Sequence, residues 1–275
     1  MSKQKNKTTQ DKESCNQRGT LDLIRLLPNM LTLSAICAGL TAIRYGLDER
    51  WMLSVILLVI AAFLDGVDGG VARLLDASSK FGAQLDSLAD FISFGVAPVF
   101  LLYLWHAHEA KGMGWAMVLF FAICTAIRLA RFNTTLESDL PKPSWSKHFF
   151  AGIPSPAGAL LALGPIIISL VVKDDYPTLY QYITFIENPY FLCGYAATIA
   201  LLMASRVPTF SFKRIRIQRR FASFFMALGG VFVIATISEP LITLLVVGVA
   251  YLGSIPCSIL LHARLNSLES AAQSK

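Results

Sequence analysis

The chain has 275 residues, 55% of them hydrophobic and only 15% charged, and its mean hydropathy is +0.57. That balance excludes a soluble globule and describes a polytopic membrane protein. The formal charge of +6 is modest, so where the basic residues fall matters more than their excess. Five cysteines (Cys15, Cys37, Cys124, Cys193 and Cys257) are scattered without a C-x-x-C, which suggests neither a disulfide framework nor a zinc site. They read as small buried hydrophobes.

Residues 1–19 are polar, with Lys3, Lys5, Lys7, Lys12 and Arg18 and no apolar core. A disordered cytosolic tail is expected there, not a signal peptide. Residues 20–28 set Leu23, Ile24, Leu26 and Leu27 around Asp22 and Arg25, which predicts a short interfacial helix ending near Pro28. From Asn29 onward eight candidate spans follow, near 29–47, 51–72, 86–106, 112–131, 151–172, 190–205, 221–238 and 240–262. Each is close to the roughly 20 residues that cross a bilayer, although the sixth is short. A transmembrane domain over 20–262 and a cytosolic tail over 263–275 complete the chain.

With the N-terminus inside, the cytosolic segments hold 20 of the 24 Lys and Arg residues. Only Arg44, Arg50, Lys111 and Lys173 fall outside. An odd span count would strand one basic block on the wrong side, so the positive-inside rule favours eight spans with both termini cytosolic.

The most informative stretch runs from Asp65 to Asp90, D-G-V-D-G-G-V-A-R-L-L-D-A-S-S-K-F-G-A-Q-L-D-S-L-A-D, where one apolar span ends and the next begins. Asp65 and Asp68 are spaced i, i+3, and Asp86 and Asp90 are spaced i, i+4, so each pair shares a helix face. A turn near Leu75 to Lys80 makes the two helices antiparallel, and the two pairs can converge on one point. Ionised carboxylates at this depth cost several kcal/mol each unless something pairs with them. An all-oxygen site of this kind suits Mg²⁺ or Mn²⁺. Gly69, Gly70 and Gly82 would let a ligand or a neighbouring backbone approach closely. Arg73, about a turn and a half beyond Asp68, can supply a positive fork for phosphate.

The pattern D-G-V-D-G-x-x-A-R, eight residues, then G-x-x-x-D-x-x-x-D resembles the signature of the CDP-alcohol phosphotransferases, with every fixed position present: Asp65, Asp68, Gly69, Ala72, Arg73, Gly82, Asp86 and Asp90. The runs P-N-M-L-T-L (Pro28 to Leu33), D-S-L-A-D-F-I-S-F-G-V-A-P (Asp86 to Pro98), A-I-R-L-A-R-F-N (Ala126 to Asn133), G-I-P-S-P (Gly152 to Pro156) and S-R-V-P-T-F-S-F-K (Ser205 to Lys213) are similar to its phosphatidylserine synthase branch. The resemblance implies an all-α integral membrane enzyme, a six-helix core with two further C-terminal transmembrane helices here, that tends to form homodimers. It implies that CDP-diacylglycerol and L-serine react to give phosphatidylserine and CMP. It also implies two divalent ions, Mg²⁺ or Mn²⁺, held by Asp65, Asp68, Asp86 and Asp90, with Asp90 shared as the general base. Gly69, Arg73 and Ser79 would contact the CDP portion, and Pro28, Asn29 and Thr32 would line the nucleotide or lipid side. The family branch further implies a bacterial inner membrane with the site facing the cytosol.

The remaining polar residues carry less. Ser93 and Gly95, about a turn past Asp90, either make room for serine or are helix-packing positions. Arg128 and Arg131, spaced i, i+3 at the cytosolic end of the fourth span, are candidates for binding the serine carboxylate or a lipid phosphate, or else ordinary membrane anchors. Lys213, Arg214, Arg216, Arg219 and Arg220 read as an anionic-lipid contact and not as a nucleic-acid surface. His106 and His108 lie on the opposite side from the aspartates, His148 and His262 are isolated, and the loop 132–150 is long enough to cover the site. Two other functions stay open. One is the same chemistry with glycerol 3-phosphate, inositol phosphate or choline as the acceptor. The other is a cation-coupled transporter, against which stands the position of the polar cluster at one membrane edge instead of the midplane.

Overall fold

The computed structural model of the protein describes residues 23–75, 77, 79–137, 149–175, 177–205, 207–210, 230–231, 234–236 and 238–273. The N-terminal tail, most of the 132–150 loop, the basic cluster 213–220 and most of the expected seventh span lie outside the described residues.

The first helix, α1 (Leu23–Leu47), runs through Pro28 where a break was expected. Its buried positions include Thr32, Ala35, Ala38 and Ala42. Of these, Thr32, Ala35 and Ala42 join Pro28, Gly39 and Gly46 in a stripe of small residues at alternating spacings of four and three. Small stripes let membrane helices approach backbone to backbone, and that packing outweighs the local preference to stop at the proline. α1 packs lengthwise on α2 (Trp51–Leu74). On α2 the buried residues are Ser54, Val55, Leu58, Ala61 and Asp68, so the same face that is apolar in the membrane becomes acidic in its last turns.

The third span is not one regular helix. α3 (Lys80–Asp90) passes into a π-helical segment, Phe91–Val96, and then into α4 (Ala97–Trp105). The Ala97 N–H reaches the Ile92 carbonyl, five residues back. Pro98 follows, and a proline has no N–H with which to continue an α-helical ladder, so the chain takes up the extra residue here. Ser93 and Gly95 are buried in this segment. The Ser93 hydroxyl donates to the Ala35 carbonyl at 3.1 Å. A Cβ on Gly95 would come within 2.9 Å of the Thr125 side chain. Both are therefore packing positions. After a 3₁₀ turn, Ala107–Ala110, α5 (Gly112–Glu137) returns.

The fifth expected span is broken. α6 (Ser155–Ala162) and α7 (Gly164–Asp175) meet at 43°. Pro165 cannot bond to the Leu161 carbonyl, and the Tyr195 hydroxyl donates to that carbonyl instead, at 2.6 Å. Gly164 makes the room, since a Cβ there would lie 2.9 Å from the same hydroxyl. A short α8 (Pro177–Ile183) and a 3₁₀ turn, Thr184–Glu187, precede α9 (Pro189–Ala204), the pair bending by 69°. Among the described residues, four helices are long and apolar enough to cross a membrane, and each bent pair can supply one more. Four to six spans are thus accounted for, where the sequence led us to expect eight.

A two-stranded antiparallel ribbon closes one end of this helical protein. β1 (Phe149–Ala151) pairs with β2 (Pro208–Phe210), in the register Phe149 to Phe210 and Ala151 to Pro208. Gly152 follows with φ of +81°, and a Cβ there would lie 2.5 Å from the Met203 carbonyl oxygen. Only glycine fits both constraints, and the turn delivers Ser155 to the start of α6. The last helix, α10 (Pro240–Gln273), packs on α6, α7 and β2 and continues as helix past its apolar part.

The contact between α1 and the π-helical segment sets the geometry below it. A Cβ on Gly39 would lie 2.8 Å from the Ser93 hydroxyl oxygen and 3.0 Å from its Cα. Gly39→Val is expected to destabilise the protein by about 1–3 kcal/mol, read as a lower unfolding midpoint in detergent. Gly253→Ala, where a Cβ meets nothing within 4 Å, should leave that midpoint unchanged or raise it.

Candidate active site

The last turns of α2 and the whole of α3 face each other across the 75–79 turn. Ser79 starts α3 as its N-cap, its hydroxyl accepting from the Gly82 N–H at 2.9 Å. A Cβ on Gly82 would sit 3.1 Å from both the Ser79 hydroxyl and the Asn29 side-chain oxygen. This close seam holds the start of α3 against α1.

The geometry brings Asp65, Asp68 and Asp86 together, with one carboxylate oxygen of each within 4.8 Å of the others. Asp68 is buried, at 4% exposure. Its Oδ2 lies 2.6 Å from the Thr32 hydroxyl, which is also 3.0 Å from the Pro28 carbonyl. Asp90, one turn beyond Asp86, makes a side-chain hydrogen bond with Asp65. The other end of its carboxylate, Oδ1, is buried without a hydrogen-bond partner. Three converging carboxylates form an all-oxygen donor set of high charge, which fits Mg²⁺ or Mn²⁺ and leaves positions for phosphate oxygens. Asp65, Asp68 and Asp86 could hold such an ion.

Beside the triad opens a cleft of about 180 Å³ lined by Pro28, Asn29, Thr32, Asp68, Gly69, Ser79 and Asp86, with Ala72, Ala77, Gly82 and Ala83. A Cβ on Gly69 would meet nothing within 4 Å, so the backbone there is open to a ligand. Six sequence candidates for the nucleotide side were Gly69, Arg73, Ser79, Pro28, Asn29 and Thr32, and five of them line this cleft. The sixth, Arg73, is exposed at the end of α2, one residue past the lining Ala72.

The two arginines of α5 part company. Arg131 donates to the Ala204 carbonyl at 2.8 Å, at the C-terminus of α9, where carbonyls lack helical partners. Arg128 instead turns toward the aspartates. It donates to the buried Ser155 hydroxyl and feels the charges of Asp90 and Asp65. Its Nε is buried without a hydrogen-bond partner. Asn133 donates to the Ser87 hydroxyl at 3.0 Å and ties α5 to α3. Sequence reasoning did not single out Ser155 or Ser87, and it placed Thr32 on the nucleotide or lipid side without its hydrogen bond to Asp68. The small-residue stripe of α1 carries Thr32 on its buried face.

Apolar spans converging on a carboxylate triad beside an open cleft define an integral membrane protein built to handle a charged ligand at one edge of its helices. The chain belongs to the CDP-alcohol phosphatidyltransferase family, whose model matches residues 25–193. A second model, CDP-alcohol phosphatidyltransferase 2, matches residues 220–256. A CDP-diacylglycerol–serine O-phosphatidyltransferase of Mycobacterium leprae is 35% identical over 236 residues, covering 86% of this chain and 75% of its own. One of Helicobacter pylori is 35% identical over 191 residues, covering 70% and 74%. One of Bacillus subtilis is 31% identical over 189 residues, covering 68% and 92%.

Hydrogen bonds to metal-binding carboxylates fix their orientation, and losing one typically costs about 10–100-fold in metal affinity. Thr32→Val keeps the shape and removes the hydroxyl facing Asp68. It is expected to weaken Mn²⁺ binding to the purified protein by about tenfold or more, measured by titration calorimetry.

Proposed function

We propose that the protein transfers the phosphatidyl group of CDP-diacylglycerol to the hydroxyl of L-serine, giving phosphatidylserine and CMP. The observation that carries this reading is the carboxylate triad beside a cleft open at Gly69, in a chain of this family. The names of the relatives supply the serine.

The residues divide the work. Gly69 and the cleft around Asn29 and Ser79 receive the CDP portion, where the backbone of α2 lies bare. A divalent ion at Asp65, Asp68 and Asp86 would offset the pyrophosphate charge and the charge developing on the freed phosphate oxygen. Asp90 takes the proton from the serine hydroxyl as that oxygen bonds to the phosphorus carrying the diacylglycerol oxygen. The bond from this phosphorus to the CMP oxygen breaks, and CMP leaves. The unpartnered, buried Oδ1 of Asp90 supports a base role, because a base needs one lone pair open to its substrate. Arg73 lies at the rim, where it serves the outer phosphate or cytosine side of the ligand.

Arg131 donates to a carbonyl at the end of α9, and Arg128 is a cation turned toward the aspartates. A single guanidinium suits the carboxylate of serine better than the doubly charged phosphate of glycerol 3-phosphate or inositol phosphate. Family membership leaves the transporter reading without support. We further propose a catalytic domain over 20–262 in a homodimer, with eight spans, both termini cytosolic and the site facing the cytosol of a bacterial inner membrane. The distribution of Lys and Arg supports that orientation.

Purified protein given CDP-diacylglycerol and Mn²⁺ should release CMP with L-serine and not with glycerol 3-phosphate, inositol phosphate or choline. Release with glycerol 3-phosphate alone would remove the serine assignment. Asp90→Asn is expected to lower turnover by about 10²-fold or more while CDP-diacylglycerol still binds. Turnover at the wild-type rate would show that Asp90 is not the base.

A further inference from the structure

Two buried polar atoms are left without hydrogen-bond partners on facing elements: Asp90 Oδ1 on α3 and Arg128 Nε on α5. A buried acceptor and a buried donor, each unsatisfied, carry a desolvation cost that a bound ligand can offset. A hydroxy amino acid matches both, with its hydroxyl for Asp90 and its carboxylate for Arg128.

A third group comes from a helix that the family's first model does not reach. Tyr251 on α10 lies within electrostatic range of Arg128. Its position is firmly set. Leu241, Leu244, Leu245, Tyr251 and Leu252 pack against the main hydrophobic core, and Ile255 is buried in it. A Cβ on Gly248 would meet Leu161 of α6 at 3.5 Å. Leu244, Gly248, Tyr251 and Ile255 follow spacings of four, three and four, so the phenol belongs to the inward stripe of α10. A hydroxyl beside a guanidinium presents its oxygen to the cation and its proton to an anion.

We propose that α10 completes the acceptor pocket: Tyr251 donates to the carboxylate of the acceptor amino acid beside Arg128, while Asp90 faces its hydroxyl. This rests on the serine reading above. Arg128 gives one N–H to Ser155 and keeps others for a carboxylate, its unpartnered Nε–H among them, and the tyrosine hydroxyl adds a further donor to the same group. Tyr251 is then a specificity residue of the acceptor end and takes no part in binding the liponucleotide.

The test uses the full chain in detergent with CDP-diacylglycerol and Mn²⁺. Tyr251→Phe is expected to raise the KM for L-serine about tenfold, as loss of a hydrogen bond to a charged group does. The KM for CDP-diacylglycerol should be unchanged, and kcat should stay within about twofold. An unchanged serine KM overturns the proposal, and so does an equal loss in both KM values and kcat, which marks structural damage. A second readout keeps the wild-type shape: 3-fluorotyrosine placed at position 251 alone. Its fluorine resonance should shift when L-serine is added with CMP and Mn²⁺, and an unmoved resonance overturns the proposal. If the wild-type protein releases no CMP with L-serine, the acceptor reading itself fails and the proposal falls with it. That result is distinct from a wild-type enzyme that uses serine and a variant that uses it equally well.

Discussion

The structure depends on holding carboxylates together where apolar helices end. Asp65 and Asp68 occupy the face of α2 that buries Leu58 and Ala61 a turn or two earlier. That face cannot turn to lipid without exposing charge to hydrocarbon, and it cannot pack against α1 without bringing the charge inside. The chain resolves this by giving the acids polar company: the Thr32 hydroxyl from α1, the Asp65–Asp90 hydrogen bond and the nearby Arg128 guanidinium. Three of the acids also converge on one another, an arrangement that could hold a cation. Packing and chemistry are therefore one problem here, because the seam that buries the acids also aims them.

That seam relies on irregular helices. The π-helical segment after Asp90 absorbs an extra residue before Pro98 and lets Ser93 bond to the Ala35 carbonyl on α1. The same segment places Gly95 against Thr125 of α5, so α1 and α5 grip the third span just beyond Asp90. The break at Leu163 works similarly at longer range. Tyr195 satisfies the carbonyl that Pro165 cannot, which fixes α6 relative to α9. The Gly152 turn does the rest, anchoring the start of α6 to the end of α9. Between them, these constraints fix where Ser155 meets Arg128.

Much of this was legible in the sequence, and for identifiable reasons. Helical spacing alone put Asp65 beside Asp68 and Asp86 beside Asp90, and the short intervening turn allowed the pairs to converge. Both are local facts, and the triad follows from them. Of the six residues that the resemblance assigned to the nucleotide, five line one cleft. What escaped was non-local. Nothing about Arg128 and Arg131, three residues apart, says that one turns to the acids and the other to the C-terminus of α9. That division is made by a ribbon and a glycine turn about 20 to 75 residues downstream. The continuity of α1 through Pro28 and the fracture of the fifth span are likewise tertiary outcomes, in which neighbouring backbones override what a proline does in isolation.

The same distinction separates the acids and their cleft from the surroundings of Arg128. The triad, the cleft and Asp90 come from α1, α2 and α3, joined by short connections, so their geometry is written within about 70 consecutive residues. The surroundings of Arg128 draw on α5, α6 and α10, with Ser155 27 residues away in the chain and Tyr251 more than 100. None of these three helices carries a member of the triad, and they reach the acids through the charge of Arg128. On the serine reading proposed above, such a layout would let one phosphoryl-transfer apparatus be paired with different alcohols, the choice lying in the contact between Arg128 and the helices packed around it.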